Sequence, residues 1–187
     1  MQTFLKDLSR RPVIASARDL PQVRRAAGAD VAAVFLLGGT ILTLRELAEG
    51  VRAGGKRVFI HLDLLGGLGR DAAAVEWCAR EIRPDGMIST RGPLLKQADE
   101  LGMITIQRLF VMDSSGMLNG LNMLRAYTPD MLEVLPGLVP KAITRLKQQT
   151  GLSIIAGGMI TRMDEVAQAL EAGAVGISTS EESLWNP

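Results

Sequence analysis

Ile154–Val166 reads IIAGGMITRMDEV, and a little further on Ala174–Ser180 reads AVGISTS. The first stretch is an apolar run, two adjacent glycines and a helix opening; the second is another apolar run that ends in three hydroxyls. Between them, EAGAV (Glu171–Val175) puts Gly173 where a helix stops and a strand begins, since a left-handed C-cap favours glycine. Thr161 is the expected helix cap, with Asp164 at the third position and Met163, Val166, Ala167 and Leu170 along one face. Strand, glycine turn, helix, stop and strand together form the repeating unit of a parallel sheet.

The same unit recurs outward along the chain. Apolar runs begin at Val13 (VIAS), Val31 (VAAVFL), Arg57 (RVFIHLD), Asp85 (DGMIS), Met103 (MITIQRL), Met131 (MLEVL), Ser153 (SIIAG) and Ala174 (AVGIS). Several are apolar throughout, as strands covered on both faces are. Between them Thr40 opens a helix with Leu44, Leu47, Ala48 and Val51 on one face, and Gly28 and Gly102 follow helical patterns as Gly173 does. Eight such strands with right-handed crossovers predict an α/β fold, a compact (β/α)8 barrel of the TIM type occupying residues 1–187 as one domain. The segment SEESLW leaves room for only a short last helix. A doubly wound open sheet is the rival architecture.

Composition narrows the function. Of 187 residues, 47% are hydrophobic and only 4% aromatic, so Val, Ile, Leu, Ala and Met must build the core. The formal net charge of +1 argues against a tight, non-specific nucleic-acid binder but leaves room for a local basic patch. One Cys, Cys78, and one His, His61, provide neither an internal disulfide nor a dedicated transition-metal site. With no apolar run long enough for a membrane span and no signal-peptide pattern, the expected location is the cytoplasm.

In a barrel of this type the chemistry gathers at the C-terminal strand ends. Those ends hold Ser16, Gly38-Gly39, His61 with Asp63, Ser89-Thr90-Arg91, Gln107-Arg108, Glu133, Gly157-Gly158 and Ser178-Thr179-Ser180. The helix-exit loops hold mostly Gly, Ala and caps, so one polar mouth is expected to face a small ligand. Gly157, Gly158 and the Ser178–Ser180 run occupy the loops after strands seven and eight, where barrels often bind phosphate. Glycine admits close backbone approach and a helix N-terminus attracts an anion; two tight turns with a capping serine are the plainer alternative. Glu181 and Glu182 would repel a phosphate unless they point away. His61 and Asp63 either bridge a ligand hydroxyl or form a structural pair, and Glu133 needs Arg108 or a ligand as partner. Arg91 and Arg108 are ligand cations or rim ion pairs. DLLGGLGRD, residues 63–71, lacks dinucleotide-binding spacing and reads as a flexible loop over the mouth. Cys78, Met112, Met117 and Met123 read as packing residues.

Six segments in order carry a family likeness: FIHLDLLGGLG, DGMISTR, ITIQRLFVMDS, EVLPGLVPK, IIAGGMI and AVGISTSEESLW. From about Pro12 to Trp185 the chain resembles the glycerol uptake operon antiterminator regulatory proteins. The resemblance implies a (β/α)8-type fold, glycerol 3-phosphate as ligand and no catalytic activity; no cofactor is expected. It also implies binding to the leader mRNA of glycerol-utilisation genes, which lets transcription pass a terminator. Carried over, it puts the phosphate end at Gly157, Gly158, Ser178 and Thr179, and lines the mouth with His61, Asp63, Arg91, Gln107, Arg108 and Glu133. The chain departs from the pattern at Ala15-Ser16, where members often have Arg-Asn, and at Thr161, where they often have Arg.

Two function classes follow. The first is a ligand-responsive RNA-binding regulator, with Arg10, Arg11, Arg18, Arg24 and Arg25 as candidate phosphate contacts and the 63–71 loop as switch. The second is a sugar-phosphate isomerase or epimerase in which Asp63, Glu133 or His61 moves a proton. Both a monomer and a homo-oligomer fit the sequence, and no membrane partner is expected.

Overall fold

Each apolar run becomes one strand of a closed parallel barrel, and the computed structural model describes residues 1–186 of the chain, with Pro187 of the expected domain lying outside them. The strands are β1 (Val13–Ala17), β2 (Ala33–Leu36), β3 (Arg57–His61), β4 (Gly86–Ser89), β5 (Ile104–Phe110), β6 (Met131–Leu135), β7 (Ser153–Gly157) and β8 (Gly176–Thr179). They neighbour one another in chain order, and β8 closes on β1, which removes the open-sheet alternative.

Helix α1 (Gln2–Arg10) precedes the barrel. Then α2 (Leu20–Gly28), α3 (Leu44–Ala53), α4 (Ala72–Trp77), α5 (Gly92–Glu100), α6 (Ser114–Met123), α7 (Pro140–Thr150) and α8 (Met163–Glu171) follow the first seven strands. After β8 only a 3-10 turn, Glu182–Leu184, remains, so the last helix is as short as expected. Among the described residues no helix is long and apolar enough to cross a membrane.

The period of two along each strand sorts side chains into two cores. Ile14, Phe35, Phe59, Ile88, Ile106, Met131 and Ile155 fill the barrel interior. Phe4 and Leu8 of α1, both fully buried, close its N-terminal end, and the Phe4 and Phe59 rings lie 4.8 Å apart. The alternate residues pack outward against the helices, among them Val34, Ile60, Met87, Leu132, Ile154 and Ile177. Cys78 is buried in that outer layer, and burial pushes its thiol up to about 12.

Several local expectations move by a residue or more. The cap of α3 is Thr43, and Thr40 instead sits in the turn ahead of it, donating its N–H to the Thr43 hydroxyl. The cap of α8 is Arg162, and Glu165 Oε2 accepts the backbone N–H groups of Thr161 and Arg162 at 2.8 and 3.1 Å. Gly102 and Gly173 have the left-handed backbone expected of helix stops, whereas Gly28 ends α2 in helical geometry. Met117 is buried as expected, but Met112, just ahead of α6, and Met123, its last residue, are exposed, so they are not core fillers. The 63–71 loop is tied rather than loose: Gly66 exchanges backbone hydrogen bonds with Gly39 and Ile41, and Arg70 donates to the Asp63 carbonyl.

Candidate functional site

A cavity of about 310 Å³ opens at the C-terminal strand ends, on the side formed by β1, β5, β6, β7 and β8. Of the expected residues, Gly158, Ser178, Thr179, Arg108 and Glu133 line it, and Ser16, Arg18, Thr161 and Ser180 join them. Its chemistry is set by one buried cluster. Arg108 and Glu133 stand opposite each other in the β5–β6 register. Arg108 Nε donates to Glu133 Oε2 at 2.6 Å, and the Ser178 hydroxyl donates to Glu133 Oε1 at 2.6 Å. Glu133 is 1% exposed and Arg108 8%, so a charge pair stands inside the barrel with both carboxylate oxygens engaged.

That geometry aims Arg108. With Nε held by the carboxylate, its terminal nitrogens have no protein partner among the described residues, and the side chain borders the cavity. Arg18, just past the end of β1, adds an exposed guanidinium to the opposite wall. Ser16 and Ser180 contribute hydroxyls that make no hydrogen bond to the described residues. In the sequence, strand-end position alone points to Ser16, and Arg18 is one of several arginines near the N-terminus.

The glycine pair has two separate explanations. A Cβ on Gly157 would run into Ser178 Oγ and come within 2.9 Å of Glu133 Oε1, so this glycine makes room for the buried cluster. Gly158 has φ +74° and Met159, beside it, φ 64°. Two successive left-handed residues turn the chain sharply as it leaves β7, and Met159 carries the strain of a non-glycine there.

The hydroxyl run is engaged inside the protein. Thr179 Oγ1 donates to the Ile160 carbonyl at 2.8 Å and accepts the Glu181 N–H at 3.0 Å, bracing the loop after β8 against the loop after β7. Trp185 Nε1 donates to the Thr179 carbonyl at 3.0 Å. Glu182 points away from the cavity and binds Arg25 through two bonds of 2.5 and 2.7 Å. Glu181, by contrast, borders the cavity, and its carboxylate accepts the Ser183 hydroxyl at 2.8 Å.

The remaining expected residues lie outside the cavity wall. Asp63 accepts from the Ser89 hydroxyl and from both the N–H and the hydroxyl of Thr90, at 2.7 to 3.1 Å, and so latches the turn after β3 onto the end of β4. Its Oδ2 is 4.0 Å from His61 Nδ1, too far for a hydrogen bond, so the two do not form the structural pair. His61 is 2% exposed, and neither ring nitrogen has a partner. Burial, then the nearby Arg108 charge, lowers its pKa to about 4, and Asp63 offsets this only in part, so the ring is neutral. Arg91 is a half-exposed rim residue with Nε 3.9 Å from Asp63. Gln107 alternates with the inward Arg108 and faces outward beneath Gly92 of α5, its amide buried without a partner.

A family model and two solved structures point to one family. The model described as glycerol-3-phosphate responsive antiterminator matches residues 13–185. The crystal structure of a glycerol uptake operon antiterminator regulatory protein from Listeria monocytogenes superposes with a TM-score of 0.91 at 34% identity, over 95% of this chain and 96% of that one. A glycerol uptake operon antiterminator-related protein from Thermotoga maritima gives 0.83 at 28% identity, over 94% and 98%. An uncharacterized Escherichia coli K12 protein, YgcP, is 31% identical over 95% of this chain and 93% of its own length. An N-acetylmannosamine-6-phosphate 2-epimerase from Clostridium perfringens shares the barrel at 13% identity and TM-score 0.70, a likeness of fold alone.

Proposed function

The chain belongs to the glycerol-3-phosphate responsive antiterminator family, and from that premise we propose that it binds glycerol 3-phosphate in the strand-end cavity and, in response, binds leader mRNA of glycerol-utilisation genes so that transcription passes a terminator. The observation that carries the ligand reading is the orientation of Arg108: one nitrogen is fixed on Glu133 and the others are turned to the cavity. A guanidinium preset this way offers parallel N–H donors to phosphate oxygens. Arg18, Ser16 and Ser180 supply further donors around the same space. Ser178 and Thr179 donate to protein acceptors, so their part is to hold the wall rather than to donate to phosphate.

The same cluster weighs against the isomerase reading. A general base needs a carboxylate free to take a proton from substrate. Glu133 is held on both oxygens, and Asp63 is fastened to the end of β4. The reading is tested by thermal unfolding with glycerol 3-phosphate beside glycerol, inorganic phosphate and sugar phosphates. Ligand at 100 times its Kd adds about 2.7 kcal/mol, roughly 5–11 °C for a chain of this size. A saturable shift with glycerol 3-phosphate alone is expected; a shift with sugar phosphates only would transfer the site to the enzyme reading.

A further inference from the structure

The arginines near the N-terminus do not gather on one face. Arg18 borders the cavity, Arg25 is paired with Glu182, and Arg11 lies 3.7 Å from Asp30. A basic surface is built elsewhere. Two adjoining grooves near the N-terminal ends of β3 and β4, about 420 and 510 Å³ in volume, share Arg52 and Arg83 in their walls. Lys56 and Arg57 join the first groove, and Arg45 and Arg80 the second, against the carboxylates of Asp85 and Glu81 only. Both carboxylates are occupied. Glu81 takes Arg45 at 2.9 Å; Asp85 takes the Val58 N–H at 2.8 Å and Arg57 at 3.3 Å. Arg80 is paired with Glu76.

Arg52, Lys56 and Arg83 are left with no carboxylate at ion-pair distance among the described residues. The two arginines are nonetheless held in place. Arg52 donates to the carbonyls of Ile82 and Arg83 at 2.5 and 2.8 Å, where the π-helical turn Cys78–Ile82 ends and its last carbonyls lack helical donors. Arg83, in the left-handed region with φ 54°, folds its Nε back to the Arg80 carbonyl at 3.2 Å. A guanidinium anchored on carbonyls keeps its full charge and its unused N–H donors. An ordinary surface arginine is either neutralised by a carboxylate or free to swing. Partial burial and the nearby Arg11 charge push the Lys56 ammonium below its usual pKa, and Asp30 offsets this only in part.

We propose that this surface, centred on Arg52, Lys56 and Arg83, is where the phosphate backbone of RNA docks, at the opposite end of the strands from the ligand cavity. The choice of RNA as occupant rests on the antiterminator reading above. The surface itself favours a polyanion over a protein partner: its cations span two adjoining grooves, and its walls lack the aromatic anchors of a protein interface. Ligand and RNA would then bind together without competing for space. Strand β3 joins the two regions, from Arg57 in the groove wall to His61 beside Arg108.

The test compares three proteins by fluorescence anisotropy with a labelled mixed-sequence single-stranded RNA over a range of salt, with glycerol 3-phosphate present. They are the unaltered chain, the triple variant Arg52→Gln/Lys56→Gln/Arg83→Gln, and the equally neutralised triple Lys6→Gln/Arg10→Gln/Arg24→Gln. The patch variant is expected to lose roughly tenfold or more in affinity and about two in the slope of log affinity against log salt, while the control triple changes neither. A thermal shift with glycerol 3-phosphate equal to that of the unaltered chain shows that the patch variant is folded. Equal RNA binding by the patch variant overturns the proposal, as does equal loss in the control triple. Capture of polyglutamate in place of RNA by the same three residues also overturns it and assigns the surface to an acidic protein partner. If no RNA binds while glycerol 3-phosphate still raises Tm, the proposal fails and the ligand reading stands. If RNA binds through the patch without any effect of glycerol 3-phosphate on Tm, the ligand reading alone fails.

Discussion

Glu133 on β6 takes the Nε–H of Arg108 on β5 at 2.6 Å, across directly paired positions of neighbouring strands. With Ser178 donating to its other oxygen at 2.6 Å, the carboxylate works as a bracket for three strands, β5, β6 and β8. The bracket converts a flexible cation into one with a fixed heading.

Removing one half of this pair leaves the other charge stranded. Glu133→Gln is expected to lower stability by about 3–5 kcal/mol, and Arg108→Met by a comparable amount. In the double variant Arg108→Met/Glu133→Leu the loss is expected to be smaller than the two single losses combined, because no unpaired charge remains. Urea unfolding of the set decides it; strictly additive losses would mean that the two side chains contribute independently.

Arg108→Lys keeps a charge but cannot fasten one nitrogen to Glu133 and still present a planar pair of donors. Calorimetry with glycerol 3-phosphate is expected to show a loss of about 1.5–3 kcal/mol in binding, the range for hydrogen bonds to charged groups. Unchanged affinity in the lysine variant would place the phosphate elsewhere, with Arg18 next to be replaced.

The neutral state of His61 makes stability depend on pH. In the unfolded chain this ring takes its proton near 6.5, and in the folded chain near 4. As pH falls through that window the unfolded chain gains a proton that the folded one refuses, so stability declines and levels off below it. The loss amounts to about 3 kcal/mol at most. His61→Leu is expected to remove this component, so the difference in unfolding free energy between the two proteins should change between pH 7 and 4. A difference that stays flat with pH would show that His61 is charged, or solvated, in the folded state.

The two adjacent glycines are expected to fail differently. Gly157→Ala drives a methyl into Ser178 and Glu133, at about 1–3 kcal/mol, and disturbs the aim of Arg108. Gly158→Ala meets only the flexible Leu135 side chain, at 3.1 Å, but must hold φ +74°, at about 1–2 kcal/mol. Melting curves and glycerol 3-phosphate titrations together separate them: both variants lose stability, and Gly157→Ala loses more affinity.

The barrel was legible because its signals are local and repeated. Apolar runs such as SIIAG and AVGIS, with a helix stop at Gly173 between them, state the unit wherever one looks. Helix starts were legible only to within a residue or so. Thr40 and Thr43 are equally good caps by type, and tertiary packing of Leu44 and Leu47 decides between them. The pairing of Glu133 with Arg108 could be anticipated, since a buried acid within an apolar strand requires a cation. The facing of β5 could not. Gln107 and Arg108 are adjacent polar residues in a strand whose other positions are nearly all apolar, so alternation gives no phase, and only barrel closure turns Arg108 inward. The basic grooves were hidden for another reason. Arg52, Lys56 and Arg83 are scattered along the sequence and gain meaning only from which carboxylates stand beside their neighbours.

Helix α1 closes the N-terminal end of the barrel with Phe4 and Leu8, and the interior cluster it completes draws on residues from β1 through β7. On the ribosome this stopper emerges ahead of all eight strands, yet its seat exists only after nearly all of them have followed. The helix must therefore wait, with its aromatic side chain unburied, for the late strands to come off. A chain arrested partway through synthesis would carry that unseated helix as an exposed greasy segment, a natural handle for chaperones.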